Sequence, residues 1–440
     1  MKKTAILIFL ISFGFAFGQK TWTLRECVDY AIEKNLTVNQ SRIQENLTET
    51  ELKNAGNQWL PTVSGYLDNS LTLGTNNPSI NKGYIQYGNG LGVNSSITIY
   101  QGGLLKLNEE KAELNKESAR LHTTKTIDDI SLMVVNYYLN VMLNRELLEI
   151  AQGNQAISEQ QLDRTQKLFD GDRVARADLV QAEAELAQRK KDTADAEIEV
   201  ERALFNLASL LQLPDYREFD VETIRLPDEL SLQLYDLEQV LQTAYAQQPA
   251  VKRAETEMQI AQKDIEIAEI GFKPKVTGTY NLGTNYSYFF NKGLIHDAWL
   301  NQWYDNLTNV FGVSVSFPIF EKHNNKINVE RAEINKSLAQ NIIEQEKQTI
   351  KENVQMAYFD SNSAFKAYEA AKESVRSNEI SVDFAQRSFD AGVLNLYDLN
   401  IARNNLIAAK AQLAQAKYNY AFRMKVLDFY AGIPLTVGLE

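Results

Sequence analysis

At 440 residues the chain has the length of about three ordinary domains, and a formal net charge of −12 excludes the basic face that binding nucleic acid requires. Its composition, 44% hydrophobic and 23% charged, is that of folded protein. One cysteine, Cys27, excludes an internal disulfide, and scarce thiols suit an exported protein.

Lys2 and Lys3 precede an apolar run from Ala5 to Phe17, and Ala16 and Gly18 put small residues at the −3 and −1 positions. The pattern predicts a secretory signal peptide over residues 1–18, cut after Gly18. The run is too short to span a bilayer, and no later segment reaches the roughly 18 apolar residues a spanning helix needs.

A first repeat occupies 19–214. Thr23 with Glu26 has the capping-box spacing, and Leu24, Val28, Ala31, Ile32 and Leu36 give one apolar face, so a helix is predicted from Thr23 to Gln58. Pro61 ends it. From Thr62 the period changes to two: Val63, Leu67, Leu71 and Leu73 alternate with polar residues, and alternation resumes at Leu91, Val93, Ile97 and Ile99 after an Asn/Gly-rich stretch from Gly74 to Gly90. This predicts a β-hairpin over 62–101. A long helix follows over 104–170, then a tip turn over 171–176, then a helix from about Ala177 to Leu213, stopped by Pro214. Residues 215–235 show no periodicity and read as a linker with little structure of its own.

The pattern then starts again over 236–434, leaving a tail at 435–440. Leu237, Leu241, Ala244, Gln248 and Val251 follow Leu24, Val28, Ala31, Asn35 and Val38 by 213 positions, as Pro274 follows Pro61. The second hairpin is predicted over 275–320. Beyond it the spacing becomes 220: Phe389, Asp390, Asp398, Leu399 and Pro434 follow Phe169, Asp170, Asp178, Leu179 and Pro214. One duplication with a seven-residue insertion in a loop explains both spacings. The second long helix, Lys322–Asp390, runs 69 residues without Gly or Pro, and Ile327, Ile334, Leu338, Ile342, Val354 and Phe365 lie on one stripe of it. At 1.5 Å per residue it is a rod of roughly 100 Å, with a tip turn following at 391–396.

Four strands of this length cross a bilayer when tilted, and their apolar and polar faces suit lipid on one side and water on the other. Tyr66, Tyr84, Tyr87, Tyr100, Tyr286, Tyr288, Trp299 and Trp303 fit an interfacial girdle. Four strands cannot close alone in hydrocarbon, so copies must share a barrel: two would give eight strands and a filled interior, three would give twelve and a lumen. The fold class is mainly α with a transmembrane β part.

The duplicated order, the junctions marked by Pro61 and Pro274, and the segments Phe169–Leu179 and Phe389–Leu399 resemble the TolC-type outer-membrane efflux family over essentially the whole mature chain. The resemblance implies a homotrimer with a twelve-strand barrel in the outer membrane of a Gram-negative bacterium and a twelve-helix barrel in the periplasm. It implies an exit duct for drugs, toxic compounds or proteins, served by an inner-membrane pump and a periplasmic adaptor. It assigns adaptor contacts to the tip turns, at Phe169, Gly171, Asp172, Phe389, Gly392, Val393 and Leu394, and the periplasmic mouth to Asp178 and Asp398. Under threefold symmetry each Asp becomes a ring of three carboxylates that attracts cations; the other reading is an Asp capping a helix beside a turn. The family's usual gate Arg is replaced by Leu394, leaving Arg173 or Arg176 for any latch. In the first turn the glycine is displaced, with Asp172 at the expected glycine position. His122, His296 and His323 are scattered, so no metal site is expected, nor a cofactor, and no nucleophile–base pair or phosphate loop marks an enzyme. The alternative is a non-conducting periplasmic coiled-coil scaffold, soluble without detergent.

Overall fold

The structure is a computed structural model that describes residues 21–77, 82–224, 226, 227, 229–290 and 297–437. The signal peptide expected over 1–18, the last positions of the 435–440 tail and His296 lie outside the described residues. The chain divides into two compact units, and each draws on both repeats: Met1–Ser41, Thr123–Gln248 and Lys347–Glu440 form one, Arg42–His122 and Pro249–Glu346 the other. No helix among the described residues is long and apolar enough to cross a membrane.

The second unit carries a four-stranded antiparallel sheet of β2 (Thr62–Asn77), β3 (Lys82–Gln101), β5 (Lys275–Phe289) and β6 (Thr308–Ser316), in that order. Each repeat contributes one hairpin, and β3 pairs with β5 from Gln86↔Phe289 to Gln101↔Lys275, which joins the two. The outer sides of β2 and β6 are unpaired among the described residues. One face carries Leu67, Leu71, Leu73, Phe311, Val313 and Val315, all exposed. The opposite face carries Asn, Ser, Thr and Gly, as the period-two pattern predicts. Pro61 and Pro274 each stand immediately before the first residue of a strand, where a missing N–H costs the ladder nothing.

Four features of the sheet depart from the sequence reading. The described residues of the stretch from Gly74 to Gly90, 74–77 and 82–90, are strand, and Gly88 and Gly90 pair with Ser70 and Asp68 in unbroken register; glycine here is a strand residue that leaves room for neighbouring side chains. Tyr66 sits in the middle of the sheet on the polar face, opposite Gly92, rather than in a terminal girdle. The β5–β6 connection contains a short helix, α7 (Trp299–Asp305), held when Thr284 Oγ1 donates to the Trp303 carbonyl at 2.7 Å and the Ser287 N–H donates to Gln302 Oε1 at 3.0 Å. β6 stops at Ser316, short of residue 320, because Pro318 cannot continue a ladder.

The sheet gives way to helix at two corners. Gly102 and Gly103 take φ of +58° and +91° before α3 (Leu104–Asp170); Lys322 and His323 take +52° and +65° before α8 (Asn324–Asp390). The left-handed corner uses up Lys322 and His323, so the second long helix begins at Asn324 and not at Lys322. Within this unit Lys263 of α6 (Pro249–Glu269) pairs with Glu110 of α3 at 2.8 Å, and Ser118 Oγ donates to Glu257 at 2.6 Å.

The first unit packs α1 (Leu24–Lys34), α4 (Arg176–Leu211), α5 (Leu237–Gln247) and α9 (Leu396–Tyr430) with the far parts of α3 and α8. Its core gathers Cys27, Ala31, Val134, Tyr138, Met142, Leu207, Leu211 and Val221. Burial and the Glu26 carboxylate push the Cys27 thiol up to about 12, so it is inert at neutral pH. The segment 215–235 is part of this core rather than a plain linker. Phe219, Val221 and Leu226 are buried, and β4 (Asp220–Val221) pairs in parallel with β1 (Thr21–Trp22). Tyr138 Oη donates to the Glu222 carbonyl at 2.6 Å and Arg145 to the Val221 carbonyl at 2.7 Å. A two-residue strand leaves no periodicity to read.

The helix predicted from Thr23 to Gln58 is two, α1 and α2 (Leu36–Asn57). The Thr23–Glu26 capping box starts α1. The break is Asn35, whose backbone is extended; its Oδ1 accepts from the Thr37 N–H at 2.9 Å and its Nδ2 donates to the Leu210 carbonyl at 3.1 Å. Gln248, 213 positions later, is likewise extended between α5 and α6.

Candidate functional site

The two tip turns are built alike. α3 ends at Asp170, the Asp172 N–H donates to the Phe169 carbonyl at 2.9 Å and the Arg173 N–H to the Leu168 carbonyl at 2.8 Å. α8 ends at Asp390, the Gly392 N–H donates to the Phe389 carbonyl at 3.0 Å and the Val393 N–H to the Ser388 carbonyl at 2.9 Å. Both are Schellman caps with a left-handed residue at the turn. That residue is Gly392 in one, φ +75°, and Asp172 itself in the other, φ +55°, so the displaced glycine leaves the turn unchanged. Gly171 is the exposed residue before it. Phe169, Phe389 and Leu394 are half-buried beneath the turns, and Val393 is 83% exposed at one of them.

Asp178 and Asp398 both occupy the third position of the outgoing helix, but they differ in use. Asp178 Oδ2 accepts from the Ala175 N–H at 3.2 Å, closing half of a capping box, since Ala175 has no side-chain oxygen to return the bond. At the second turn Asn395 Oδ1 takes the capping role, accepting from the Asp398 N–H at 2.8 Å, and the Asp398 carboxylate faces solvent. Each carboxylate also lies at the positive end of a helix dipole. The structure does not bring Asp178 and Asp398 into a shared hydrogen bond.

Sequence reasoning missed the charged layer beside these turns. Arg164 of α3 pairs with Asp390 of α8 at 3.0 Å. Arg189 of α4 bonds Glu185 at 2.8 Å and Asp192 at 3.0 Å, and it also reaches the Asn404 side chain of α9. Arg403 of α9 donates to Gln386 Oε1 of α8 at 2.7 Å. Burial draws the Arg403 guanidinium below its ordinary range, with Glu185 and Asp390 opposing the shift. Three arginines thus stitch all four long helices together behind the turns, whereas among the described residues Arg173 and Arg176 form no ion pair. The repeat could not flag this layer: 220 positions from Arg164, Arg189 and Arg403 stand Phe384, Ala409 and Glu183.

A family model described as outer membrane efflux protein matches residues 27–212 and 240–432. The chain belongs to the outer membrane efflux protein family. The two matched stretches are the two repeats, and the gap between them is the segment that carries β4. The chain is 22% identical to outer membrane protein TolC of Escherichia coli, over 96% of this chain and 84% of TolC. It is 22% identical to the alkaline protease secretion protein AprF of Pseudomonas aeruginosa, over 71% of this chain and 63% of AprF. Among solved structures, the CmeC outer membrane channel of Campylobacter jejuni superposes with a TM-score of 0.74 at 19% identity, over 93% of this chain and 85% of CmeC. The mostly helical architecture is therefore that of the outer-membrane efflux channels, and the protein is an outer-membrane export protein of this family.

Proposed function

We propose that three copies of this chain form one passive exit duct, a twelve-strand barrel in the outer membrane continued by a twelve-helix cylinder in the periplasm. The observation that carries this is the sheet: four strands, an exposed apolar face and two unpaired edges. Each unpaired N–H or C=O left in hydrocarbon costs several kcal/mol, which closure with neighbouring copies removes. Four strands from each of three copies make a barrel wide enough for a lumen. A soluble coiled-coil scaffold would instead leave Leu67, Leu71, Phe311 and Val313 open to water.

In this reading the helical tips are the periplasmic mouth. A periplasmic adaptor, coupled to an inner-membrane pump, docks on the turns around Gly171, Asp172, Gly392 and the exposed Val393, while Phe169, Phe389 and Leu394 shape them from beneath. Asp178 and Asp398 supply threefold rings of negative charge, of which the unengaged Asp398 carboxylate is the freer. The Arg164–Asp390 pair and the Arg189–Asn404 bond hold the four helices of each copy together there, in place of the family's gate Arg. Selection of cargo rests with the pump. The test is extraction in mild detergent followed by planar-bilayer recording: a trimer that conducts ions supports the reading, and a water-soluble monomer overturns it. Crosslinking in cells from residues 171 and 392 should capture an adaptor.

A further inference from the structure

The polar face of the sheet holds a row of glycines. Gly88, Gly90 and Gly92 alternate along β3, and Gly92 pairs with Gly283 of β5. Two larger side chains of β2 lie down into the space these glycines leave. A Cβ at Gly283 would stand 2.7 Å from the Tyr66 hydroxyl, although Tyr66 is two strands away; a Cβ at Gly92 would stand 2.6 Å from the Tyr66 ring. A Cβ at Gly90 would stand 2.5 Å from Asp68 Oδ2. Tyr66 therefore crosses β3 flat against the sheet, and Asp68 lies flat beside it. Asp68 is also the only carboxylate in the four strands.

We propose that this glycine recess sets the bore and charge preference of the duct at the level of the membrane, by keeping Tyr66 and Asp68 against the wall. The inference rests on the trimeric channel reading, in which the polar face lines the lumen. Had β3 carried alanines, each copy would push a phenol ring and a carboxylate toward the axis. With the recess, the wall stays wide; at the level of Tyr66 and Asp68 it carries Asn, Ser, Thr and Gly beside one carboxylate per copy, and the Lys275 ammonium of the same face stands apart at the start of β5. Such a section passes bulky neutral and cationic solutes more readily than anionic ones.

The test uses the full chain in cells, with a single reporter, Thr62→Cys, on the same face about 13 Å further along the strand from Tyr66. The native Cys27 is fully buried, so it gives no background labelling. Reagents are maleimide peptides too large for general porins, of one length and either lysine-rich or glutamate-rich, added outside. Gly283→Ala, whose methyl would meet the Tyr66 hydroxyl at 2.7 Å and the Asn281 side-chain oxygen at 3.3 Å, should slow labelling several-fold, and Tyr66→Ala added to it should restore the rate. Tyr66→Ala alone should change the rate little. Asp68→Asn should lower the preference for the lysine peptide by roughly fivefold, the effect of losing one nearby charge in water. A large acceleration by Tyr66→Ala alone, or an unchanged rate in an assembled Gly283→Ala protein, overturns the inference while leaving the channel reading intact. Should Gly283→Ala fail to assemble, Tyr66→Ala and Asp68→Asn still decide. A Thr62→Cys reporter that no peptide reaches overturns both.

Discussion

Asp172 and Gly392 hold the same left-handed backbone at the same point of the two tip turns. They are one of four such pairs. Gly102 with Lys322, Gly103 with His323 and Gln212 with Gly432 are also 220 positions apart, and these eight are all the positive-φ residues described. The duplication preserved backbone conformation where it did not preserve residue type. An L-residue in this region carries roughly 1 kcal/mol of strain that glycine avoids. Asp172→Gly should therefore stabilise the first turn by up to about that amount, and Gly392→Ala should cost roughly 1–2 kcal/mol at the second. Thermal melting of the purified protein checks both.

The same pairing shows what was legible in the sequence. Helix ends and strand starts are fixed by Pro61, Pro274 and the change of period, which are local signals, so the repeat and its elements could be read directly. The Asn35 and Gln248 breaks fall at equivalent positions and leave no mark in the sequence, because one extended residue barely disturbs an amphipathic pattern. Of the site, the turns were legible. The arginine layer was not, because Arg164–Asp390 and Arg189–Asn404 join the two repeats through partners that no spacing relates.

The Arg164–Asp390 pair is about half-exposed on both sides, at 51% and 44%, so it contributes at most about 1 kcal/mol to stability. Its expected role at a mouth is mechanical. Arg164→Ala or Asp390→Asn should leave the melting temperature within a few degrees of wild type and raise single-channel conductance. Exchanging the charges, Arg164→Asp with Asp390→Arg, should return conductance toward wild type. Unchanged conductance in both single variants would remove the pair from the mouth.

Lys425 and Asp428 behave differently, because both are buried, at 9% and 5% exposure. Lys425 Nζ donates to Asp428 Oδ2 at 2.7 Å and to the Val437 carbonyl at 2.6 Å, and Tyr235 Oη donates to the other carboxylate oxygen. One side chain of α9 thus anchors the C-terminal tail, and its partner anchors the inter-repeat segment. Asp428→Ala leaves a buried ammonium without its counter-charge and should cost about 3 kcal/mol. Limited proteolysis should then cut near Val437 earlier than in wild type. The paired change Lys425→Met with Asp428→Leu should be much milder.

Asp128 on α3 gives stability a pH dependence. Burial, with the neighbouring Asp129 charge, raises its carboxyl from 3.8 to about 6, against a smaller opposing effect of Lys125. The folded state therefore binds this proton more tightly than the unfolded one. Its contribution is greatest below pH 3.8 and is lost as pH rises through about 6. Asp128→Asn should raise the melting temperature at pH 8 and change it little near pH 4. An equal shift at both pH values would show that the carboxyl is not the cause.

In the proposed duct, β2–β3–β5–β6 is one third of a closed barrel. Cysteines on the unpaired edges, one on β2 and one on β6 of the same chain, should join neighbouring copies in the outer membrane. Oxidation should give a ladder of monomer, dimer and trimer that ends at the trimer. A ladder that ends at the dimer, or edges that never crosslink in an otherwise folded protein, would contradict the account.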